Sequence, residues 1–133
     1  MGTRSTTKIY EVYEDDNRKK HKELILSLYK QFDGYTAGWG KDLKEFIKSG
    51  KFVNGYSLAS DERQFNGIGC FALQLVKEFK DGVGGLYATT KEDSQEYNYS
   101  IIYDVGNYDD RKATLTIECE ENKKFKEVIE IKL

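Results

Sequence analysis

Three runs of strict alternation fill the C-terminal part of the chain, and they constrain the fold more than any other feature. YNYSIIYDV (97–105) places Tyr97, Tyr99, Ile101 and Tyr103 on one face. KATLTIECE (112–120) does the same with Ala113, Leu115, Ile117 and Cys119, and FKEVIEIKL (125–133) with Phe125, Ile129, Ile131 and Leu133. Successive side chains of a strand point to opposite faces, so this period-two pattern describes strands buried on one side and wet on the other. Antiparallel sheets have that character, and the short polar turns GNYDDR and ENKK suit a meander. Two more strands are expected at the start of the chain. Ile9, Tyr10, Val12 and Tyr13 supply β-forming residues to the first. In the second, residues 23–32, Leu24, Leu26, Leu28 and Phe32 share one parity and are expected to face the core.

The middle of the chain has a different period. In NGIGCFALQLVKEFKDG (66–82), Ile68, Phe71, Ala72, Leu75, Val76 and Phe79 form an apolar stripe at helical spacing. Asn66 is the expected N-cap, and Gly82 the expected stop, in the left-handed conformation that ends helices. A shorter helix is expected from about Gly40, with Leu43, Phe46 and Ile47 on one side and Gly50 as its stop. The order β-β-α-α-β-β-β-β groups the helices between strands. That predicts an α+β fold: an antiparallel sheet with two central helices packed on one face. At 133 residues the chain is expected to form a single domain, 1–133.

Composition limits the function classes. The formal charge is −2 and no basic stripe is visible, which argues against a duplex nucleic-acid binder. No apolar run approaches membrane-spanning length and no signal peptide is apparent, so the expectation is a cytoplasmic protein with no membrane partner. Cys70 and Cys119 then read as reduced thiols. One histidine, His21, sits in the charged turn 15–22, which leaves little support for a Ser-His or Cys-His device. Two Cys and one His do not fill an ordinary zinc site, and no phosphate-loop pattern is present. Glu130-x-Lys132 shares one face of the last strand, as the end of a metal-dependent nuclease signature does. The same face alternates Lys and Glu as edge strands do. The reading is therefore not an enzyme, and no cofactor is implied.

The residues with the best claim to recognition lie elsewhere. Tyr35 and Trp39 stand in the glycine-spaced loop D-G-Y-T-A-G-W-G, opened by the turn residue Asp33, where rings can stack on a flat ligand. Arg4 and Lys30 can pair with phosphate or carboxylate. Gly67 and Gly69 are costly in the first turn of a helix. Either another backbone packs against that turn, or the helix start, with Asn66, is left open to an anion.

Several stretches also resemble a family of small, uncharacterised phage and prophage proteins. They are the opening MGTRS, the run YKQFDGYTAGWG (29–40), the NG pairs and FNGIGCFALQLVKEFKDGVGGLY. That family typically shows an MGTRS start, a Y-R-Q-Y-D-G-Y-P-x-G-like loop and an N-G-x-G-C helix start. The resemblance covers most of residues 1–105. This chain has Lys30 where Arg is common and Thr36 where Pro is common, and its C-terminal part is longer. What the resemblance implies is a phage protein, active in the bacterial host's cytoplasm, that binds something of the host without turning it over. One such class sequesters nucleotide signals of bacterial immunity, a form of immune evasion. The expected ligand is thus a small anionic, nucleotide-like molecule at Arg4, Lys30, Asp33, Tyr35, Trp39, Asn66, Gly67 and Gly69. The alternatives are a binder or inhibitor of a host or virion protein, or a small metal-dependent nuclease. Proline-free edge strands further predict a homo-oligomer.

Overall fold

The fold is described here from a computed structural model for residues 2–107 and 111–133. In chain order the elements are β1 (Ser5–Glu14), β2 (Lys20–Lys30), a wide helical turn (Thr36–Gly40), α1 (Lys41–Lys48), β3 (Lys51–Val53), β4 (Gln64–Asn66), α2 (Gly67–Phe79), β5 (Leu86–Ala88), β6 (Tyr97–Gly106), β7 (Lys112–Cys119) and β8 (Asn122–Lys132). Six of the strands form one sheet in the order β5-β2-β1-β6-β7-β8. All neighbours are antiparallel except β1 and β6, which run parallel at the centre. The α+β class and the mostly antiparallel sheet are as expected from the alternation. The parallel pair is not part of a meander, because the chain passes through both helices between β1 and β6. The 51–65 connection adds a second, two-stranded sheet, β3 with β4.

The core lies between the large sheet and the helices. Ile9, Ile101 and Ile117 pair in one register row and are fully buried beneath Leu43, Phe46, Phe71 and Leu75. Aromatic rings tie the layers together. Phe52 stacks on Tyr103 at 5.6 Å, and Phe65 meets Phe71 edge-on at 5.0 Å. Gly50 follows α1 as expected, but a Cβ there would meet the Phe65 ring at 2.6 Å, so it is kept small by packing rather than by a left-handed cap.

Leu24 departs from the expected parity. β1 and β2 pair Ile9 with Leu26 but Tyr10 with Leu24, leaving Ile25 as a bulged residue. A bulge of one residue exchanges the faces of everything beyond it. Leu26 and Leu28 therefore face the helices, while Leu24 lies beside Tyr10 on the opposite face. Phe32 lies beyond the end of β2 and is 52% exposed. His21 belongs to β2 rather than to a turn: it stacks on Tyr13 at 5.0 Å and bonds Asp15 Oδ2 at 2.7 Å.

Candidate functional site

The residues expected to meet in one ligand site stand at two ends of the fold. Arg4, Lys30, Asp33, Tyr35 and Trp39 lie where β1 begins. The first residues of α2 lie beside Glu11 and Tyr103, toward the end of β1. α2 has 13 residues and so is about 20 Å long. Its far end, Phe79, packs on Trp39 at 4.9 Å. One small molecule does not span that length.

At the first end the glycine-spaced loop is built for packing. Trp39 is 0% exposed, and its Nε1–H donates to Thr7 Oγ1 at 2.8 Å. Its ring carries Phe79 edge-on and the Lys30 ammonium at 5.1 Å. Stacking a ligand on Trp39 is thereby corrected: the indole is a core residue, and Lys30 is its partner. Asp33 has φ of 58° and its carbonyl accepts the Trp39 amide at 2.8 Å, so it closes the loop. Gly34 admits the N-terminal segment: a Cβ there would meet Ser5 Cβ at 2.7 Å. Tyr99 donates its hydroxyl to the Gly34 carbonyl at 2.6 Å. Arg4 sits 3.9 Å from Glu96. Tyr35, 41% exposed, keeps an accessible ring.

The start of α2 is different. Asn66 does not cap it: its Oδ1 accepts the Gly55 amide at 2.9 Å and closes the 55–66 loop instead. No side-chain hydrogen bond caps this helix among the described residues. Gly67 has φ of 83°, a conformation L-residues rarely adopt, and that turns the chain from β4 into α2. A Cβ on Gly67 or Gly69 would meet nothing within 4 Å, which rules out close packing as the reason for either glycine. The first turn therefore presents unpaired amides and the positive end of the helix dipole.

That turn borders a cleft of about 510 Å³. Gly67, Asn54, Arg111 and Lys112 line it together with the apolar Val53, Val105 and Leu133. Glu11 and Tyr103 line it too. Burial, and then the Glu23 charge, raise the Glu11 carboxyl above its ordinary value. Burial, and then Glu11, push the Tyr103 hydroxyl up. Glu11, Asn54, Tyr103, Arg111 and Lys112 were not singled out from sequence. Arg111 and Lys112 stand at the start of β7, and nothing local in the sequence links them to α2. The pairing of β7 with β6 and with β8 is what sets them beside the cleft.

The remaining reactive groups are dispersed. Cys70 and Cys119 are free thiols, and burial pushes the Cys119 thiol up. Glu130 and Lys132 project from the outer strand into solvent. Among the described residues no three His, Cys, Asp or Glu side chains cluster to hold a metal, and no helix is long and apolar enough to cross a membrane. Comparison with protein families, with curated proteins and with solved structures returns no match.

Proposed function

We propose that this chain is a non-catalytic binding protein of the phage type, and that it holds a small anionic, nucleotide-like molecule in the cleft at the start of α2. The observation that carries the reading is the uncapped first turn of α2 bordering that cleft, with Arg111 and Lys112 among the residues that line it. Amides of a free helix start and flanking cations are the usual partners of phosphate. Val53, Val105 and Leu133 offer an apolar surface for a flat ring. The resemblance to phage proteins makes nucleotide signals of bacterial immunity the first class to screen.

Calorimetry against cyclic dinucleotides, cyclic trinucleotides and ADP-ribose derivatives tests this, with inorganic phosphate as the minimal probe. Arg111→Ala with Lys112→Ala is expected to weaken binding at least about tenfold, as loss of charge-assisted bonds does. Arg4→Ala is expected to leave it unchanged. Binding that survives the Arg111/Lys112 pair and is lost with Arg4→Ala would return the site to the other end.

A second reading, capture of a host or virion protein, is favoured by a separate feature. Leu26, Leu73, Val76, Leu86 and Tyr87 line an apolar groove between α2 and the β2–β5 edge, and Leu73 is 71% exposed. A pull-down that recovers a stoichiometric protein partner, lost in Leu73→Asp, alongside no nucleotide binding, would favour it.

A further inference from the structure

The sheet has a face that the helices do not cover, and one register row crosses it. Leu24 pairs with Tyr10, Tyr10 with Ile102, Ile102 with Thr116, and Thr116 with Val128. The bulge at Ile25 is what brings Leu24 into this row. The neighbouring rows are polar. Lys8, Ser100, Glu118 and Lys126 lie on one side; Lys22, Asp104, Thr114 and Glu130 lie on the other, interrupted by Val12. The apolar row ends at the outer strand β8, on Val128, which is 53% exposed. Among the described residues no strand pairs with the outer side of β8. Its backbone groups there are a template for another strand.

From this geometry we infer that two copies of the chain pair through β8, antiparallel, about a two-fold axis at Val128. Strands joined into one sheet must keep their faces, so only registers centred on a residue are admissible. Centring on Lys126, Glu127 or Glu130 sets like charges on the axis. Centring on Ile129 sets Lys126 against Lys132 and Val128 against Glu130. Centring on Val128 sets Val128 against its own copy, and Lys126 against Glu130 twice by symmetry. On the helix-covered face the same register places Phe125 against Ile131, and Ile129 beside Glu127, whose carboxylate is already held by Lys48 at 2.8 Å. Lys124 opposite Lys132 is the one like-charge pair, and it falls at the strand ends, where solvent screens it. The axis residue is also the end of the apolar row. The two-fold therefore continues Leu24–Tyr10–Ile102–Thr116–Val128 without a break into the second copy.

The surface is isologous, as a symmetric dimer requires. Beside β8, Ile47, Phe52, Ile129 and Ile131 line a groove of about 580 Å³ along the same edge. The second copy's strand and α1 would lie along that groove.

Light scattering and oxidative cross-linking test the register. Wild type is expected to be a dimer at about 50 μM, a concentration at which micromolar complexes are populated. Lys126→Glu alone creates two like-charge pairs and is expected to raise the dissociation constant about tenfold. Lys126→Glu with Glu130→Lys restores opposite pairs and is expected to recover the dimer. Val128→Cys sets the two Cα atoms about 4.5–5.5 Å apart across the axis, within the span a disulfide bridges, and is expected to cross-link under mild oxidation. Lys126→Cys places its copies about 14 Å apart and is expected not to. All three positions are on the surface of an edge strand, and unchanged circular dichroism checks that each variant folds. A monomeric wild type overturns the inference. So does a dimer that Lys126→Glu leaves intact and Val128→Cys does not trap.

Discussion

Replacing Trp39 distinguishes a core residue from a ligand platform. The indole is fully buried, carries Phe79 at 4.9 Å and Lys30 at 5.1 Å, and donates to Thr7. Truncating a buried Trp to Ala costs about 3–5 kcal/mol through lost transfer energy and the cavity left behind. With an unfolding entropy of about 2.1 cal/mol/K per residue, 133 residues lose about 3.6 °C of melting temperature per kcal/mol. Trp39→Ala is therefore expected to melt about 11–18 °C below wild type. Trp39→Phe keeps most of the ring contacts and removes the donor to Thr7, a loss of about 1–3 kcal/mol for an unpaired buried hydroxyl. Differential scanning calorimetry measures both. Fluorescence gives a second view of the wild type, since Trp39 is the sole Trp: its emission should be blue-shifted when folded and move red on unfolding. A Trp39→Ala protein that melts within 2 °C (about 0.6 kcal/mol) of wild type and fails to bind nucleotide would refute the argument.

Other perturbations read other parts of the fold. Leu75→Ala, at a fully buried position on α2, is expected to cost about 2–5 kcal/mol in urea unfolding. Gly67→Ala forces a side chain onto φ of 83° and is expected to destabilise by about 1–2 kcal/mol, whereas Gly69→Ala, with open space around it, is expected to stabilise by about 0.5–1 kcal/mol. Glu11 has a raised carboxyl pKa, so its ionisation opposes folding; the penalty is absent below the unfolded value and sets in as pH rises through the folded one. Glu11→Gln should thus raise the melting temperature at pH 7 and lose that advantage as pH falls below about 3, where Glu11 is itself protonated in both states. Asp15 has the opposite sign. Its hydrogen bond from His21, then the Lys19 amide, lower its carboxyl, so the stability lost in Asp15→Asn is present above the unfolded value and vanishes as pH falls through the folded one.

The strands of the C-terminal part were legible because each faces helices on one side and solvent on the other, which writes a period of two into the chain. Ala113, Leu115, Ile117 and Cys119 are all buried as that period requires. Both helices were legible for the same reason at a period near 3.6, since Leu43, Phe46, Ile47, Phe71 and Leu75 must reach one layer. Strand order was not legible. Nothing local in β1 or β6 says that they lie side by side and parallel, because the pairing depends on how the intervening helices cross the sheet. The bulge was hidden too. Leu24, Leu26 and Leu28 alternate without a flaw, yet Ile25 is the extra residue in the pairing with Ile9 and Tyr10.

The candidate site was half legible for a reason that bears on both ends of the fold. Glycine in an unusual place signals a backbone requirement without naming it, and here the requirements differ. Gly34 and Gly40 are excluded from carrying a Cβ by Ser5 at 2.7 Å and by Phe125 at 2.8 Å, so the aromatic loop is glycine-spaced in order to pack. Gly67 and Gly69 touch nothing, so the helix start is glycine-rich with its amides open. The two patterns look alike in sequence and have opposite consequences for binding. The first buries the ring it carries; the second leaves a helix terminus beside two cations whose position depends on the distant pairing of β7 with β6 and with β8. Under the proposed reading, recognition at the α2 end rests on backbone amides and on Arg111 and Lys112, and substitutions there should alter affinity while leaving the Trp39 core unchanged.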